Sequence, residues 1–264
     1  MSTQSIRVAV SGAGGRMGRE VINALLEAGP EFTLVGAADP AFAGNAISEV
    51  LGLDSPVIIE KGIDKVLESI KADVVVVFSI PAVAMSDIRT IMAAKAVPVV
   101  GTTGITQENL EEIRTLAQKH GVGAIIAPNF AIGAVLMMKL AAEIAKYFPA
   151  VEIVELHHDK KIDAPSGTSI KTAEMIAASR NEVYQPAGDA DDAARGRDFH
   201  GIRIHSVRLP GLIAHQEVIF GGIGQTLTIR HDSYDRKSFM PGVLLAVRKA
   251  VGLKDVIYGL ENIL

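Results

Sequence analysis

Ile6-Arg7-Val8-Ala9-Val10-Ser11-Gly12-Ala13-Gly14-Gly15-Arg16-Met17-Gly18 is the stretch that decides the fold. Its first six residues form a short apolar run of strand type. Beyond the glycines, Met17, Val21, Leu25 and Ala28 recur at helical spacing. A strand that turns through glycines straight into a helix keeps side chains out of the way of a close ligand. It also offers backbone N–H groups at the positive end of the helix. Such a turn suits the pyrophosphate of a dinucleotide. The spacing departs from the strict G-x-G-x-x-G form, because Met17 stands at the last glycine position and Gly18 follows one residue later. Taken alone, the turn also fits a plain glycine-rich connector.

Outward from this turn the chain alternates strand and helix patterns. A second strand, residues 33–39, ends on Asp39, about 20 residues past the glycines, where a carboxylate can accept hydrogen bonds from ribose hydroxyls. Asp39 equally fits a turn cap before Pro40. A short strand (57–59) and helix (63–70) follow. Residues 73–79 contain Val74-Val75-Val76-Val77-Phe78, apolar on both faces as a central parallel strand must be when helices cover both sides. Helix 82–94, strand 97–101, helix 107–120 and strand 123–127 complete an α/β pattern that predicts a doubly wound, Rossmann-type parallel sheet. Gly101, Thr102, Thr103 and Gly104 lie at one strand end, and Ala127, Pro128, Asn129 and Phe130 at the next. Ligands of open α/β sheets bind outside the carboxyl ends of the strands, so both segments are expected to rim the same crevice as the glycine turn. Ordinary turn chemistry accounts for either one alone.

The pattern changes near residue 131. A helix (132–147), a strand (151–158) and a helix (166–180) precede a loop-like, charge-dense stretch, 181–201. Three strand-like segments follow, 203–208, 213–221 and 225–232, with Gly221-Gly222-Ile223-Gly224 as a hairpin turn between the last two. Consecutive strands predict a second, α+β domain with an open mixed sheet, largely antiparallel. The expected division is a dinucleotide-binding domain, 1–130, with 240–264 packing back on it through a helix at 241–251, and a second domain, 131–239. Residues 121–138 approach membrane-span length. Pro128-Asn129 interrupts them, and a strand, a turn and a helix is the better reading.

Composition narrows the function. The 264 residues carry a net charge of −4 and no long basic run, which argues against bulk nucleic-acid binding. Hydrophobic residues at 48% and charged residues at 21% predict a folded core. The absence of cysteine removes disulfide scaffolds, thiolate metal sites and cysteine nucleophiles. The first residues lack a basic head followed by an apolar stretch, so a secretory signal is not expected and a cytoplasmic protein is.

The chemistry concentrates in Glu155-Leu156-His157-His158-Asp159-Lys160-Lys161-Ile162-Asp163-Ala164-Pro165-Ser166-Gly167-Thr168. Two histidines end a strand, a lysine follows three residues after the second, and Pro165-Ser166-Gly167-Thr168 leads into a helix. A helix start with hydroxyls and an open glycine backbone receives carboxylate or phosphate. Histidine exchanges a proton near neutral pH, and lysine adds a charge and a proton. The block therefore suits an anionic small molecule that must also be protonated. Plainer readings fit each part: a solvated turn for Lys160 and Lys161, and a helix cap for Ser166 and Thr168. A metal site is disfavoured, because adjacent strand residues point to opposite faces.

The block His157-His158-x-x-Lys161-x-Asp163-Ala164-Pro165-Ser166-Gly167-Thr168 closely resembles the signature of the 4-hydroxy-tetrahydrodipicolinate reductase (dihydrodipicolinate reductase) family. The Gly12–Gly18 turn, Gly101-Thr102-Thr103-Gly104 and Asn129-Phe130 are similar to that family's other motifs, in the same order along the chain. The resemblance implies reduction of a cyclic unsaturated dicarboxylate by NADH or NADPH, with release of water, in diaminopimelate and lysine biosynthesis. It implies His157 as proton donor and acceptor and Lys161 as proton donor. By the same resemblance His158, Ser166, Gly167 and Thr168 would hold the substrate, in a domain cleft expected to close. Gly12, Ala13, Gly14, Gly15, Arg16, Met17, Asp39, Gly101, Thr102, Thr103 and Ala127, Pro128, Asn129 and Phe130 would hold the cofactor. It further implies a homotetramer built through the second-domain sheet, for which the apolar run 212–222 is suited. NADPH-using relatives carry an arginine after the acidic residue, where this chain has Pro40. NADH is therefore expected to be favoured, or the two cofactors comparable.

Overall fold

The computed structural model describes residues 5–184 and 193–264. In chain order its first elements are β1 (Ile6–Ser11), α1 (Arg16–Glu27), β2 (Phe32–Ala38), α2 (Ile47–Leu51), β3 (Ile59–Glu60), α3 (Ile63–Ser69), β4 (Val74–Val77), α4 (Pro81–Ala93), β5 (Val97–Val100), α5 (Gln107–His120) and β6 (Ala124–Ile126). Next come α6 (Ile132–Ile144), β7 (Ala150–His157), α7 (Gly167–Ser179), β8 (Arg197–Phe199), β9 (Ile202–Arg208), β10 (Ala214–Gly222) and β11 (Gln225–Ser233). The chain closes with α8 (Met240–Ala250) and β12 (Val256–Tyr258). Two compact units result. One is Ala131–Ser238, and the other joins the chain up to Phe130 with Phe239–Leu264.

The first unit is built on a seven-stranded sheet of order β12-β6-β5-β4-β1-β2-β3, with every pairing parallel. From β1 the chain winds outward through β2 and β3. It then returns to the other side of β1 for β4, β5 and β6, so the order reverses at β1 and β4. Crossing helices leave no face wet: Val74, Val75, Val76 and Val77 are all fully buried. On one face Val75, Val77, Val100 and Ile126 pack against Ile88, Ile91 and Met92 of α4 and Ile113 of α5. Helices α1 and α8 pack on strands of this sheet and on each other. Two of its helices stop for a local reason. Gly29, at φ +72, and Pro30 end α1, and Gly121, at φ +67, ends α5.

The seventh strand, β12, was not expected from sequence. Val256–Tyr258 is a three-residue run that becomes a strand only by pairing with β6. Helix α2 was likewise not expected.

The second unit has a five-stranded sheet of order β11-β10-β7-β9-β8. It is mixed and largely antiparallel, as expected. Strands β7 and β9 run parallel, joined across α7 as a strand–helix–strand crossover, while the other pairs are antiparallel. A correction falls within 181–201, read as loop-like. Arg197–Phe199 forms the edge strand β8, and 193–195 is a short helical turn; residues 185–192 lie outside the described residues. Two polar, exposed residues and one phenylalanine give no strand pattern. The pairing comes from the tight turn at His200 and Gly201, with φ of 54° and 74°, which matches the twist of a hairpin. The predicted hairpin between β10 and β11 has Ile223-Gly224 as its two-residue loop. The core lies on the face shared by Val151, Ile153, Ile204, Val218 and Phe220, against Met137 and Ala141 of α6 and Ala173 and Ile176 of α7.

Candidate active site

The glycine turn sits at the carboxyl end of β1, where the sheet order reverses. Gly12 adopts φ +79, and a Cβ there would meet the Phe78 carbonyl oxygen at 2.6 Å. A Cβ at Gly18 would lie 2.0 Å from the Gly12 carbonyl oxygen. The departure from the strict motif is thereby explained: Gly18 is the residue that lets the helix approach the turn, and Met17 has no such duty. The backbone donors of the turn divide into two groups. Gly12 and Ala13 N–H donate to Ala38 O (2.9 and 3.1 Å), Gly14 N–H to Asp39 Oδ2 (2.9 Å) and Gly15 N–H to Gly12 O (3.1 Å). Helix α1 has no side-chain cap, and among the described residues the Arg16 and Met17 N–H groups have no acceptor. Uncapped first-turn amides are an anion receptor.

Asp39 caps the turn before Pro40 and also braces the glycine turn. Its Oδ1 accepts from Ala41 N–H at 3.0 Å as a turn cap, while Oδ2 braces Gly14. Arg19 donates through Nε to Gly14 O at 2.9 Å and stacks on Phe42, whereas Arg16 is exposed. Across the same strand ends, Gly101 leaves room for the Phe78 ring, which a Cβ would approach to 2.1 Å. Thr102 is buried and donates through its hydroxyl to Ser79 O at 2.8 Å. Thr103 and Pro128 are exposed, Asn129 is half-buried, and Ala127 and Phe130 are buried, with the Phe130 ring 5.9 Å from that of Phe78. Thr102, Ala127 and Phe130 thus shape the crest through backbone and packing, and the exposed surface comes from their neighbours.

In the second unit the histidine block gathers around a pair that the sequence reading passed over. Glu155, fully buried, receives both terminal nitrogens of Arg208, Nη2 on Oε1 at 2.7 Å and Nη1 on Oε2 at 2.8 Å. The same carboxylate accepts from Ser166 N–H at 3.3 Å and lies 2.5 Å from His157 Nδ1. Burial pushes the Glu155 carboxyl up. Hydrogen bonds from His157, Arg208 and Ser206 outweigh it and bring the pKa down to about 2. Arg208 also donates to Asp163 O at 2.8 Å, which ties down the turn after β7.

His157 is the last residue of β7 and 15% exposed at its side chain; His158 lies past the strand end and is exposed. The two rings therefore do not share a strand face, and among the described residues no cluster suits a metal. Lys161 Nζ donates to both oxygens of Asp163 at 2.8 Å, which holds the Asp163 carboxyl below its ordinary range. Ser166 caps α7: its hydroxyl accepts from Ser169 N–H at 3.2 Å and is buried. Gly167 is exposed, with open space where a Cβ would stand, and Thr168 is half-buried beside it. His157, the start of α7 and the Lys161 turn are thus fastened to one buried ion pair. A charged residue in register with Val151 and Ile153 on the core face of β7 was the one signal for Glu155. Nothing local pointed to Arg208, 53 residues away.

A parallel sheet with an uncapped glycine turn, followed by a second unit bearing proton-exchanging and anion-receiving groups, is the build of a nicotinamide-dependent oxidoreductase. The chain belongs to the dihydrodipicolinate reductase family: the family models "Dihydrodipicolinate reductase, N-terminus" and "C-terminus" match residues 6–130 and 133–264. It is 56% identical over 264 residues to the 4-hydroxy-tetrahydrodipicolinate reductase of Listeria monocytogenes serotype 4b, covering 98% of this chain and 100% of the relative. With that of Desulfitobacterium hafniense (strain DSM 10664 / DCB-2) it shares 52% over 267 residues, covering 99% of each. Among solved structures, the dipicolinate-bound dihydrodipicolinate reductase of Paenisporosarcina sp. TG-14 superposes with a TM-score of 0.87 at 44% identity, covering 98% of this chain and 100% of that one. The amine dehydrogenase of Mycobacterium smegmatis, at 15% identity and a TM-score of 0.67 over 93% of this chain and 92% of its own, shares the fold.

Proposed function

We propose that this chain reduces 4-hydroxy-tetrahydrodipicolinate to tetrahydrodipicolinate, with release of water, using NADH or NADPH in diaminopimelate and lysine biosynthesis. The observation that carries the reading is the joint anchorage of His157, the α7 N-terminus and the Lys161 turn on Glu155 and Arg208. The bound ligand named for the Paenisporosarcina relative is a dicarboxylate, which is the kind of molecule such a block receives.

The nicotinamide nucleotide, when bound, supplies the hydride. The residues present fit it: Gly12 and Gly18 allow the close packing of turn and helix that a Cβ would block, and the Arg16 and Met17 amides at the helix start have no acceptor among the described residues. Gly12 to Met17 would hold its pyrophosphate and Asp39 its ribose. Gly101 to Thr103 and Ala127 to Phe130 would line the rest of its bed. In the second unit the Gly167 and Thr168 backbone at the start of α7 would take one substrate carboxylate. Lys161, released from exposed Asp163, would pair with substrate, and His158 would add a further contact. Ser166 contributes by capping the helix. Hydride addition to a conjugated acceptor builds negative charge, and His157 supplies the proton that removes it. Nicotinamide absorbance tests this. NADH is consumed with enzymatically generated substrate and not with simple aldehydes; the reverse result refutes the assignment.

Selection favours NADH or accepts both cofactors alike. The Asp39 carboxylate repels a 2′-phosphate, Pro40 offers no donor, and Arg19 is engaged with Gly14 and Phe42. Arg16 is the cation left to meet a phosphate. Measured at matched salt, a kcat/KM that prefers NADPH by about tenfold or more would overturn this reading. The assembly is a homotetramer formed through the second-unit sheet, whose face opposite α6 and α7 carries half-exposed Val154, Leu156 and Ile219. Sedimentation that finds a stable monomer at micromolar concentration refutes it. A cysteine-free chain using a reducing cofactor fits the cytoplasm.

A further inference from the structure

We propose that Glu155, locked in place by Arg208, is a positioning residue that holds His157 with its proton on Nδ1 and so presents Nε2 as the atom that exchanges protons. The inference rests on the reading of His157 as proton donor and deepens it to a single nitrogen. Its basis is the register of two strands. Glu155 and His157 are two apart on β7 and share a face, and on β9 Ser206 stands opposite Glu155 and Arg208 opposite His157. The carboxylate is fully buried, and both of its oxygens accept from Arg208. An ionised carboxylate only accepts hydrogen bonds. The contact at 2.5 Å therefore requires His157 Nδ1 to be the donor whether the ring is neutral or charged. In the neutral ring the lone pair then falls on Nε2.

Arg208 is what keeps the carboxylate ionised out of water. Its Nη groups also reach Val207 O and Asp163 O, so the guanidinium is fixed in its plane, while its buried Nε has no partner among the described residues. If Glu155 were neutral, an acid O–H or an amide N–H would face Nδ1 and drive the proton to Nε2. The Glu155→Gln side chain does this by construction. Its one oxygen is held where Oε1 stands, by Arg208 Nη2 and Ser166 N–H, which leaves the amide nitrogen toward the imidazole.

Imidazole 15N NMR of the wild-type enzyme, with His157 assigned by its loss in His157→Gln, tests the proposal directly. The expected neutral form is protonated on Nδ1. A wild-type ring protonated on Nε2 overturns the proposal, and this measurement needs no variant of Glu155 to fold. In Glu155→Gln the tautomer is expected to shift toward Nε2–H, with NADH affinity unchanged and kcat lowered by about 10-fold or more, approaching ~10⁴ where the wrong tautomer blocks transfer entirely. An unmoved tautomer in that variant overturns the positioning role. A shifted tautomer with full kcat leaves that role standing and instead removes His157 from the proton step.

Discussion

Gly18→Ala probes the glycine turn most sharply, because two opposed effects are both readable from the structure. Gly18 lies inside α1, where alanine favours the helix by about 1 kcal/mol. Its new Cβ would stand 2.0 Å from Gly12 O and 2.8 Å from Ala13 Cα, so the carbonyl must retreat about 1 Å to reach the 3.0 Å that real Cβ atoms keep. That carbonyl cannot swing aside freely. It accepts from Gly15 N–H at 3.1 Å, and Gly12 N–H is tied to Ala38 O at 2.9 Å. Overpacking of this kind costs about 1–3 kcal/mol. The net expectation is a loss of roughly 0–2 kcal/mol of stability. Binding suffers more than folding, since the displaced turn misaims the amides at Arg16 and Met17. One charge-assisted hydrogen bond lost corresponds to about 10- to 150-fold in NADH affinity. Fluorescence titration of NADH, beside thermal melts, separates the two. If Gly18→Ala binds NADH as tightly as wild type does, the close-approach argument is wrong.

Three further expectations follow from the second unit. His157→Gln lowers kcat by about 10²–10⁴ while NADH affinity stays close to wild type; an unchanged turnover number removes His157 from the chemistry. Lys161→Ala raises KM for the dicarboxylate and lowers kcat together, because it withdraws both a charge and a proton source, and unaltered kinetics reduce Lys161 to a solvated partner of Asp163. The Glu155 carboxyl, lowered from 4.5 to about 2, contributes about 3 kcal/mol of stability that is complete above pH 4.5 and lost as pH falls toward 2. Melting temperatures of wild type and Glu155→Gln should therefore converge as pH drops through that window, and parallel curves would refute the linkage.

The parts of the fold legible beforehand were those written in local pattern. The run Val74–Val77 declares a strand buried on both faces, and the turn from Ser11 to Gly18 declares a strand, a glycine bend and a helix. The His157-to-Thr168 block stands out as a candidate site by its density of titratable and hydroxyl groups in a short span. What escaped was non-local. Strand β12 is three residues that mean nothing until β6 lies beside them, and β8 is held by a two-residue turn. The parallel pairing of β7 with β9 follows from the crossover through α7 and not from either strand's composition.

By itself the sequence determined the two kinds of architecture and marked the glycine turn and the short His157-to-Thr168 block as candidate sites, because periodicity, glycines and clustered motifs act over a few residues. Only tertiary structure decided that Gly18, and not position 17, grants the close approach of α1. It alone showed that Asp39 braces Gly14, and that Arg208 crosses from β9 to neutralise a buried glutamate under His157. The reason is physical. Hydrogen bonds and ion pairs between distant segments depend on register and burial, and neither exists until the strands have paired.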